Sequence, residues 1–409
     1  MKVLLLGEES RIVLPIVRSL GRCGIEVHLG WTDEASAVTR SRYLSQVVDL
    51  ELPGSESEPW QSDLLTWIQA NHYDLVLPVT ESAIFHMQSQ HEQFRDHPQI
   101  HLLDHTVYEL CRDKLRAQEL AQSMGIAVPD SVLIESPEML TSHTHRIESW
   151  LEDGVVIVKP RTSVCSGNAR EKEVVRRAQS IGEIESIVQE RKGTSYVLQR
   201  MISGQGVGIE LLVRNGTILT AFQHRRLHET TGYGSTYRES ARVDPRLLQT
   251  SSQLMSHLNY TGVAMVEMRH DVQSDEYTFL EINARFWGSL ALATSAGVDF
   301  PKYLVEMLVY NKPPANPSYR VGARCRDLLN DARWLWSSFR QGWTRNSKLE
   351  SAGWSVNRLS WKEWCSDLLR WLIFQDQIDS WASDDPGPFI AELQQIGHAI
   401  LSKLYFIRS

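Results

Sequence analysis

Four polar side chains lie on two short runs of strand-forming residues separated by an acidic turn, a pattern that predicts a β-hairpin. They are Glu267, Glu281, Asn283 and Arg285. Strand alternation places the last three on one face, and a hairpin centred near Ser274 sets Glu267 directly opposite Glu281. Two carboxylates and an amide oxygen would then converge.

Two carboxylates that face each other in a sheet repel, so this arrangement needs a nearby cation. Carboxylate and phosphate oxygens are the hard ligands that Mg²⁺ prefers. The alternative is a solvated hairpin face whose acids pair with Arg269 or Arg285, as surface charges commonly do. Spacing alone does not separate the two interpretations, and the neighbouring motifs favour the metal.

Two lysines upstream are candidates for phosphate contacts. Lys159 ends the apolar run 155–158, so a buried strand would deliver its charge into a cleft. A loop of small residues follows, and the backbone amides around Ser166 and Gly167 are suited to fold over phosphates. Lys114 lies in an amphipathic helical pattern that Gly125 ends, and in isolation it is typical of a solvated surface lysine.

A basic strand and a glycine-containing turn occupy residues 221–238. Arg225 and Arg226 point to opposite faces of such a strand, and alternation does not choose which of them faces a ligand. We favour Arg226 for phosphate, and Gly234 with Ser235 for substrate. The alternative is an exposed basic strand.

The start of the chain predicts a βαβ unit. An apolar run ending at Gly7 is followed by a helical pattern over 11–23 and a second strand over 24–30. A further buried strand over 74–81 ends in polar groups, where open α/β sheets usually bind ligands. A dinucleotide-binding fold is disfavoured because the second and third glycines of its fingerprint are absent after Gly7.

Length and composition limit the class of protein. A chain of 409 residues exceeds a single core, and its net charge of −8 argues against a nucleic-acid partner. No apolar run is long enough to span a bilayer, so we expect no transmembrane segment. The five cysteines form no CxxC pair, and the N-terminus begins with a strand pattern instead of a signal peptide. We therefore expect a soluble, cytoplasmic protein.

The last part of the chain is rich in tryptophan, since eight of the 13 tryptophans lie between Trp334 and Trp381, in amphipathic helical patterns. We predict a helical C-terminal extension over 316–409 that packs onto the preceding domain or onto a second subunit, as in a homodimer. So many large rings would otherwise form an exposed apolar patch. Contact with a membrane surface is the alternative.

Taken in order, these motifs resemble the ATP-grasp superfamily, and more closely its carboxylate–amine ligases related to the large chain of carbamoyl-phosphate synthase. The resemblance covers residues 1–315. It implies an α/β and α+β fold: a pre-ATP-grasp α/β domain over 1–105 and a two-lobed ATP-grasp domain over 106–315, which clamps ATP. The helical C-terminal extension follows.

The resemblance also implies roles for individual residues. Lys114 and Lys159 match the lysines that contact ATP phosphates, and Arg285 matches the arginine that steadies the transferring phosphate. The magnesium ligands of the family match Glu267, Glu281 and Asn283.

Segment 197–204 is similar to the hinge between the two lobes, where adenine would meet the backbone of Arg200, Met201 and Ile202. In two places the chain departs from the family, which usually has acidic residues at the positions of Gln199 and Gly206. Glu210 shares a strand face with Gly206. We expect it either to contact the ribose of ATP or to be an ordinary surface residue.

These roles imply an ATP-dependent ligase that activates a carboxylate as an acyl phosphate, releases ADP and passes the acyl group to an amine. ATP and Mg²⁺ are the implied cofactors, with one or two ions bound and Mn²⁺ as a substitute. A small-molecule carboxylate and a small-molecule amine are the implied partners. The alternatives are a nucleotide-binding regulatory protein without turnover, and a ligase that makes a thioester or carboxyphosphate.

Overall fold

The computed structural model describes residues 1–50, 53, 60–164, 175–191, 193–230, 234–312, 314, 318–343 and 361–408. Within these ranges the chain forms three β-sheets flanked by helices. Ser166 and Gly167, for which the sequence predicts phosphate contacts, lie outside the described residues. Over the described ranges, no helix combines the length and the apolar character needed to cross a bilayer.

The N-terminal part of the chain forms a parallel sheet with helices on both faces. Its elements are β1 (Lys2–Leu6), α1 (Ser10–Arg22), β2 (Glu26–Gly30), a 3₁₀ helix (Ala37–Arg40), β3 (Gln46–Val47), α2 (Trp60–Asn71), β4 (Leu75–Pro78), α3 (Glu81–Ser89) and α4 (His91–Phe94). The strand order is β3-β2-β1-β4. Val3 and Leu5 pack towards α1, whereas Leu4 and Leu6 pack towards α2 and α3, so β1 is buried on both faces. The predicted βαβ start is confirmed.

A second, antiparallel sheet follows, with the strand order β5-β8-β6-β7. This part of the chain consists of α5 (His105–Arg112), α6 (Lys114–Ser123), β5 (Ser131–Ile134), α7 (Met139–Glu152), β6 (Val156–Pro160), β7 (Arg176–Ala178), α8 (Ile181–Glu190) and β8 (Tyr196–Arg200). The carboxylate of Asp113 accepts hydrogen bonds from the backbone N–H groups of Leu115 and Arg116 and so caps α6. This cap fixes Lys114 at the first residue of the helix.

The largest sheet has seven described strands in the order β13-β12-β9-β10-β11-β14-β15. They are β9 (Gln205–Arg214), β10 (Thr217–Thr230), β11 (Gly234–Ala241), β12 (Gly262–Asp271), β13 (Glu276–Asn283), β14 (Arg324–Arg326) and β15 (Gln377–Ile378), with helices α9 (Pro245–His257), α10 (Leu290–Ala296) and α11 (Phe300–Tyr310) between them. Strands β12 and β13 form the predicted hairpin. The ladder pairs Glu267 with Glu281 as predicted, but it does so through a register shift between Glu267 and Met268, because Met268 pairs with Phe279.

The C-terminal part is mostly helical, with α12 (Leu328–Trp343), α13 (Trp361–Leu372) and α14 (Gly387–Arg408), but it also supplies β14 and β15. β14 pairs with β11, so the large sheet crosses the predicted boundary at residue 315. Strands of two or three residues are too short for alternation to reveal them in the sequence. The predicted packing onto the preceding domain is confirmed: the indole nitrogen of Trp334 donates to the carbonyl of Glu229. Trp336 remains 63% exposed.

A buried ion pair joins this C-terminal extension to the N-terminal sheet. Arg18 on α1 and Asp385 lie 2.9 Å apart, and both residues are buried. The hydroxyl of Ser41 also donates to Asp385. The preceding residue, Asp384, instead forms an exposed ion pair with Arg22.

Asp385→Ala is expected to lower the free energy of unfolding by about 3–5 kcal/mol, because it leaves the Arg18 guanidinium buried without its partner. Asp384→Ala is the matched control, since it removes the adjacent carboxylate from an exposed pair and is expected to cost only ~0–1 kcal/mol. Urea unfolding of the parent and both variants measures the difference. Equal losses in the two variants would contradict the anchoring role of Asp385.

A buried histidine fastens α12 and α13 to strand β10. Nδ1 of His228 lies 2.6 Å from a carboxylate oxygen of Asp331, and Nε2 lies 3.3 Å from one of Asp367. The imidazole ring stacks on the Trp334 indole with 3.6 Å between the ring centroids. Burial lowers the pKa of His228, but the hydrogen bonds to the two aspartates outweigh it and raise the pKa above its usual value.

His228 is expected to make stability depend on pH. Between the unfolded-state pKa and the raised folded-state pKa, the folded protein holds more protons than the unfolded chain, so stability falls as pH rises. The contribution is complete below the unfolded-state pKa and is lost as pH passes the folded-state value. Urea unfolding from mildly acidic to mildly alkaline pH measures it, with His228→Gln as the variant that lacks the titrating group. Parallel curves for parent and variant would contradict a charged His228.

Candidate active site

A cleft of about 440 Å³ lies where the three sheets meet. Its walls come from β6 and β8 on one side and from β10, β12 and β13 on the other, with the loops after β1 and β4 at one end. The cleft brings together most of the residues singled out in the sequence: Lys114, Lys159, Gln199, Arg200, Met201, Ile202, Arg226, Gly234, Ser235, Glu267, Glu281, Asn283 and Arg285.

The acidic pair of the hairpin lies in this cleft. The amide nitrogen of Asn283 donates to Oε1 of Glu267 at 3.1 Å and to Oε1 of Glu281 at 3.2 Å, so the three side chains converge. Turning the amide would present its oxygen instead. Two carboxylates and an amide oxygen are hard donors that suit Mg²⁺, with phosphate oxygens and water completing the coordination. No cluster of three His, Cys, Asp or Glu side chains suited to a metal occurs in the described part of the chain.

Arg226 balances the charge of the acidic pair. Its Nη2 lies 2.6 Å from Oε2 of Glu267, whereas Arg269 and Arg285 pair with other carboxylates. Burial alone would raise the pKa of Glu267, but Arg226 outweighs it and holds the pKa below its usual value. The solvated-face interpretation is therefore contradicted, because Glu267 is only 14% exposed and its partner also lines the cleft.

The structure separates the two adjacent arginines of β10. Arg226 faces the cleft, while Arg225 is half-exposed and donates its Nε–H to Glu239 at 2.6 Å. Gly206 gives Arg226 its space, since a Cβ atom there would lie 2.9 Å from Cδ of the arginine. An acidic residue at position 206, which the resemblance leads us to expect, would collide with this side chain.

Two lysines approach from the other side of the cleft. The ammonium group of Lys114 donates to the hydroxyl of Ser163 at 2.8 Å, and the residue is buried instead of solvated. The pKa of Lys159 is lowered to about 8, mainly by burial; Glu281 opposes this shift and nearby Lys114 adds to it. A bound phosphate would favour the charged lysine, so this position suits a polyanion.

Only part of the hinge backbone is available to a ligand. The N–H of Arg200 donates to the carbonyl of Asp130 at 2.9 Å, because β8 continues to pair with the segment before β5. An adenine contact through this N–H is therefore ruled out, and the hinge groups of Met201 and Ile202 remain candidates. Gln199 lines the cleft, but its amide nitrogen already donates within the protein, to Gln118 and Ser131.

Glu210 is completely buried, which contradicts both roles predicted for it. Its Oε1 accepts a hydrogen bond from the hydroxyl of Ser289 at 2.7 Å and lies 3.0 Å from Nδ1 of His224. His224 and Ser289 line the cleft and Glu210 does not, so Glu210 lies behind them. Alternation gives the face of a strand but not the depth of a side chain below it.

Ser235 uses both its hydroxyl and its backbone carbonyl in contacts within the protein. The single hydroxyl proton lies within hydrogen-bonding distance of two carbonyl oxygens, those of His228 at 3.0 Å and Tyr237 at 2.8 Å. Its own carbonyl accepts hydrogen bonds from Arg11 at 3.0 Å and from Arg238 at 3.2 Å. Both arginines line the cleft beside Gly234. A substrate contact at Ser235 stays a prediction, and the structure adds that its carbonyl positions two arginines of the cleft.

Several residues of this end of the cleft were missed in the sequence: Glu9, Arg11, Glu81, Arg238 and Ser289. Glu9 and Arg11 follow β1 as Glu81 follows β4, so the rule that ligands bind at the carboxyl ends of parallel strands would have found them. Glu81 accepts a hydrogen bond from Arg285 at 3.1 Å. Arg238 had no local signal, because its partner Asp379 arrives from the C-terminal extension.

Comparison with known proteins identifies the fold family. A family model described as ATP-grasp in the biosynthetic pathway with Ter operon matches residues 192–329, which include Arg226 and the acidic hairpin. Over this stretch the chain is similar to that family. The D-aspartate ligase of Enterococcus faecium (strain Aus0004) is 20% identical over 340 residues, which are 77% of this chain and 78% of the ligase.

Two solved structures show the same fold. An L-amino acid ligase from Bacillus licheniformis has a TM-score of 0.56 at 15% identity, and the match covers 75% of this chain and 74% of that chain. The ADP complex of N5-carboxyaminoimidazole synthetase from Staphylococcus aureus has a TM-score of 0.60 at 15% identity, covering 83% and 86%. The ATP-grasp fold expected from the resemblance is confirmed.

Proposed function

We propose that this ATP-grasp protein is an ATP-dependent ligase that phosphorylates a carboxylic acid and then joins the acyl group to an amine. The observation that supports this best is the pairing of Glu267 with Glu281 beside Arg226 in one cleft. Phosphoryl transfer needs positioning and charge neutralisation far more than it needs a protein nucleophile. Carboxylates that hold a metal ion, together with cationic side chains that face them, supply both positioning and charge neutralisation.

The nucleotide is proposed to lie with its phosphates near Lys114 and Lys159 and its adenine against the hinge at Met201 and Ile202. The ligands for Mg²⁺, with Mn²⁺ as a chemical alternative, are Glu267, Glu281 and Asn283. When bound, a divalent ion neutralises phosphate charge as a Lewis acid.

Arg226 and Arg285 are proposed to stabilise the charge that moves with the γ-phosphoryl group as the substrate carboxylate attacks and ADP leaves. Pairing of Arg285 with Glu81 holds its guanidinium at the edge of the cleft. The product is an acyl phosphate, from which the amine displaces phosphate to form an amide. Binding of the substrates in the cleft between the sheets is proposed to limit access of water, which would otherwise hydrolyse this mixed anhydride.

An amino acid is the proposed substrate class for the acid or the amine. The end of the cleft near Ser235 presents both signs of charge, since Arg11 and Arg238 lie near it and Glu9 and Glu81 line the same cleft. Such a site matches the carboxylate and ammonium groups of a zwitterion. The names of the D-aspartate ligase and the L-amino acid ligase point to the same class.

The test is release of ADP across a matrix of amino acids offered as acids and as amines, with mass spectrometry of the products. We expect ADP and phosphate to appear only with Mg²⁺ and a matching acid, and a product whose mass is that of acid plus amine less water. Release of AMP would contradict the acyl phosphate. Nucleotide binding without turnover for every pair would favour a regulatory protein, and turnover only with a thiol or bicarbonate would favour the other ligase types.

A further inference from the structure

A histidine lies between the cleft and a completely buried carboxylate. His224 on β10 lines the cleft, although the residue is only 1% exposed. Its Nδ1 lies 3.0 Å from Oε1 of Glu210, and the hydroxyl of Ser289 donates to the same oxygen at 2.7 Å. Glu210 is thus held by Ser289 and lies against the imidazole ring.

The sheet provides a fitted site for this ring. His224 pairs with Gly208 across the β9–β10 ladder, and a Cβ atom at Gly208 would lie 2.5 Å from Cε1 of the imidazole. The same Cβ would lie 3.2 Å from Sδ of Met265, which therefore packs beside the ring position. Any side chain at Gly208 would displace the ring, so the glycine fixes where the imidazole lies.

The second ring nitrogen is available for chemistry. Neither ring nitrogen of His224 makes a hydrogen bond with a residue that the structure describes, but Nδ1 lies 3.0 Å from the Glu210 carboxylate. A carboxylate at Nδ1 favours the tautomer with its proton on that nitrogen, so Nε2 carries a lone pair. The charged groups around the ring are Glu210 behind it, and Glu267 and Arg226 on the cleft side.

We propose that His224 is the general base that takes a proton from the acceptor ammonium, a role that rests on the proposed ligase function. One ammonium proton passes to Nε2 of His224, and the nitrogen lone pair forms the C–N bond with the acyl carbon. The bond between the acyl carbon and the phosphate oxygen breaks, and phosphate leaves with the electron pair and the second nitrogen proton. Glu210 is a positioning residue beside the ring.

Two acceptors of equal size separate this role from the activation of the acid. Methylamine is protonated near neutral pH and needs a base, whereas hydroxylamine is weakly basic, already neutral, and needs none. With the amino acid that gives the fastest ADP release in the parent, His224→Gln is expected to form the methylamide about 10²- to 10⁴-fold more slowly. Hydroxamate formation is expected to stay close to the parental rate. Rising pH should restore the methylamide reaction, because the free amine becomes abundant.

Two further variants complete the test. Glu210→Gln keeps the shape of the carboxylate but removes its charge, and is expected to slow methylamide formation while sparing hydroxamate formation. His270→Gln is the matched control, since this histidine lies on the hairpin with Asp275 as its partner at 2.8 Å, and neither reaction should change. The hydroxamate reaction also reports whether each variant is folded.

The possible failures are distinguishable. Methylamide formation by His224→Gln at the parental rate would overturn the role of His224 alone. Equal losses of methylamide and hydroxamate would show a structural role and also overturn it. A parent that releases no ADP with any acid would overturn the proposed ligase function, and the role of His224 with it.

Discussion

Arg226→Gln is expected to slow acid-dependent ADP release on the order of 10³-fold, because it removes a cation that faces the transferring phosphoryl group. The guanidinium of Arg226 lies 2.6 Å from Glu267 and is mostly buried, so it acts with little screening by water. Glutamine can still donate a hydrogen bond to Glu267 but carries no charge. The loss should fall on kcat more than on KM for ATP, because the charge matters most as transfer proceeds.

Arg225→Gln makes the same change one residue away and is the matched control. Arg225 is half-exposed and points away from the cleft, and its partner Glu239 keeps Arg324 as a second partner at 2.8 Å. Turnover of this variant is expected to stay close to that of the parent. Single-turnover ADP release, with melting curves to check folding, measures both variants. Comparable losses of turnover in Arg225→Gln and Arg226→Gln would contradict the conclusion that, of these two arginines, only Arg226 faces the cleft.

Glu281→Gln is expected to lower turnover on the order of 10²- to 10³-fold, because it removes one proposed metal ligand beside the transferring phosphate. A ligand stabilises the folded protein in proportion to its binding, so Mg·ATP should raise the melting temperature of the variant less than that of the parent. Without metal, Glu281→Gln is expected to change the melting temperature very little. Repulsion from Glu267 is lost, but so is the attraction of Glu281 to Lys159 and Arg285.

Glu276→Gln is the control for this variant, because Glu276 lies exposed at the far end of the same strand. It is expected to match the parent both in ADP release and in its stabilisation by Mg·ATP. If Glu281→Gln also matched the parent in both measurements, Glu281 would have no part in holding a metal. Loss of turnover with unchanged Mg·ATP stabilisation would likewise contradict a role as metal ligand.

The acidic hairpin could be predicted from the sequence because the positions of its side chains depend mainly on residues that are close together in the chain. A strand has a fixed period of two, so a turn centred near Ser274 predicts that Glu267 faces Glu281. The observed pairing also depends on a register shift between Glu267 and Met268, which the sequence did not predict. The same period predicted that Arg225 and Arg226 diverge. It could not choose between them, because the choice depends on which face of β10 meets the other lobe.

The incorrect or missed predictions concern residues whose positions depend on packing between distant parts of the chain. Glu210 lies on the expected face of β9, but β9 is an interior strand whose depth is set by its neighbours. His224 and Glu210 become partners only when β9 and β10 pair, so neither stands out in the sequence. The aspartate that binds Arg238, Asp379, is 141 residues further along the chain. No local sequence pattern predicts a contact between residues so far apart in the chain.

The central claim is that a substrate carboxylate attacks the γ-phosphorus of ATP, and the fate of its oxygen atoms tests this most directly. The acid is supplied with a carboxylate labelled with heavy oxygen, and the products of amide formation are analysed by mass spectrometry. An acyl phosphate leaves one carboxylate oxygen on phosphorus when the amine displaces phosphate. We expect labelled inorganic phosphate in step with the amide, together with unlabelled ADP. Label in AMP, or unlabelled phosphate formed in step with the amide, would contradict the proposed reaction.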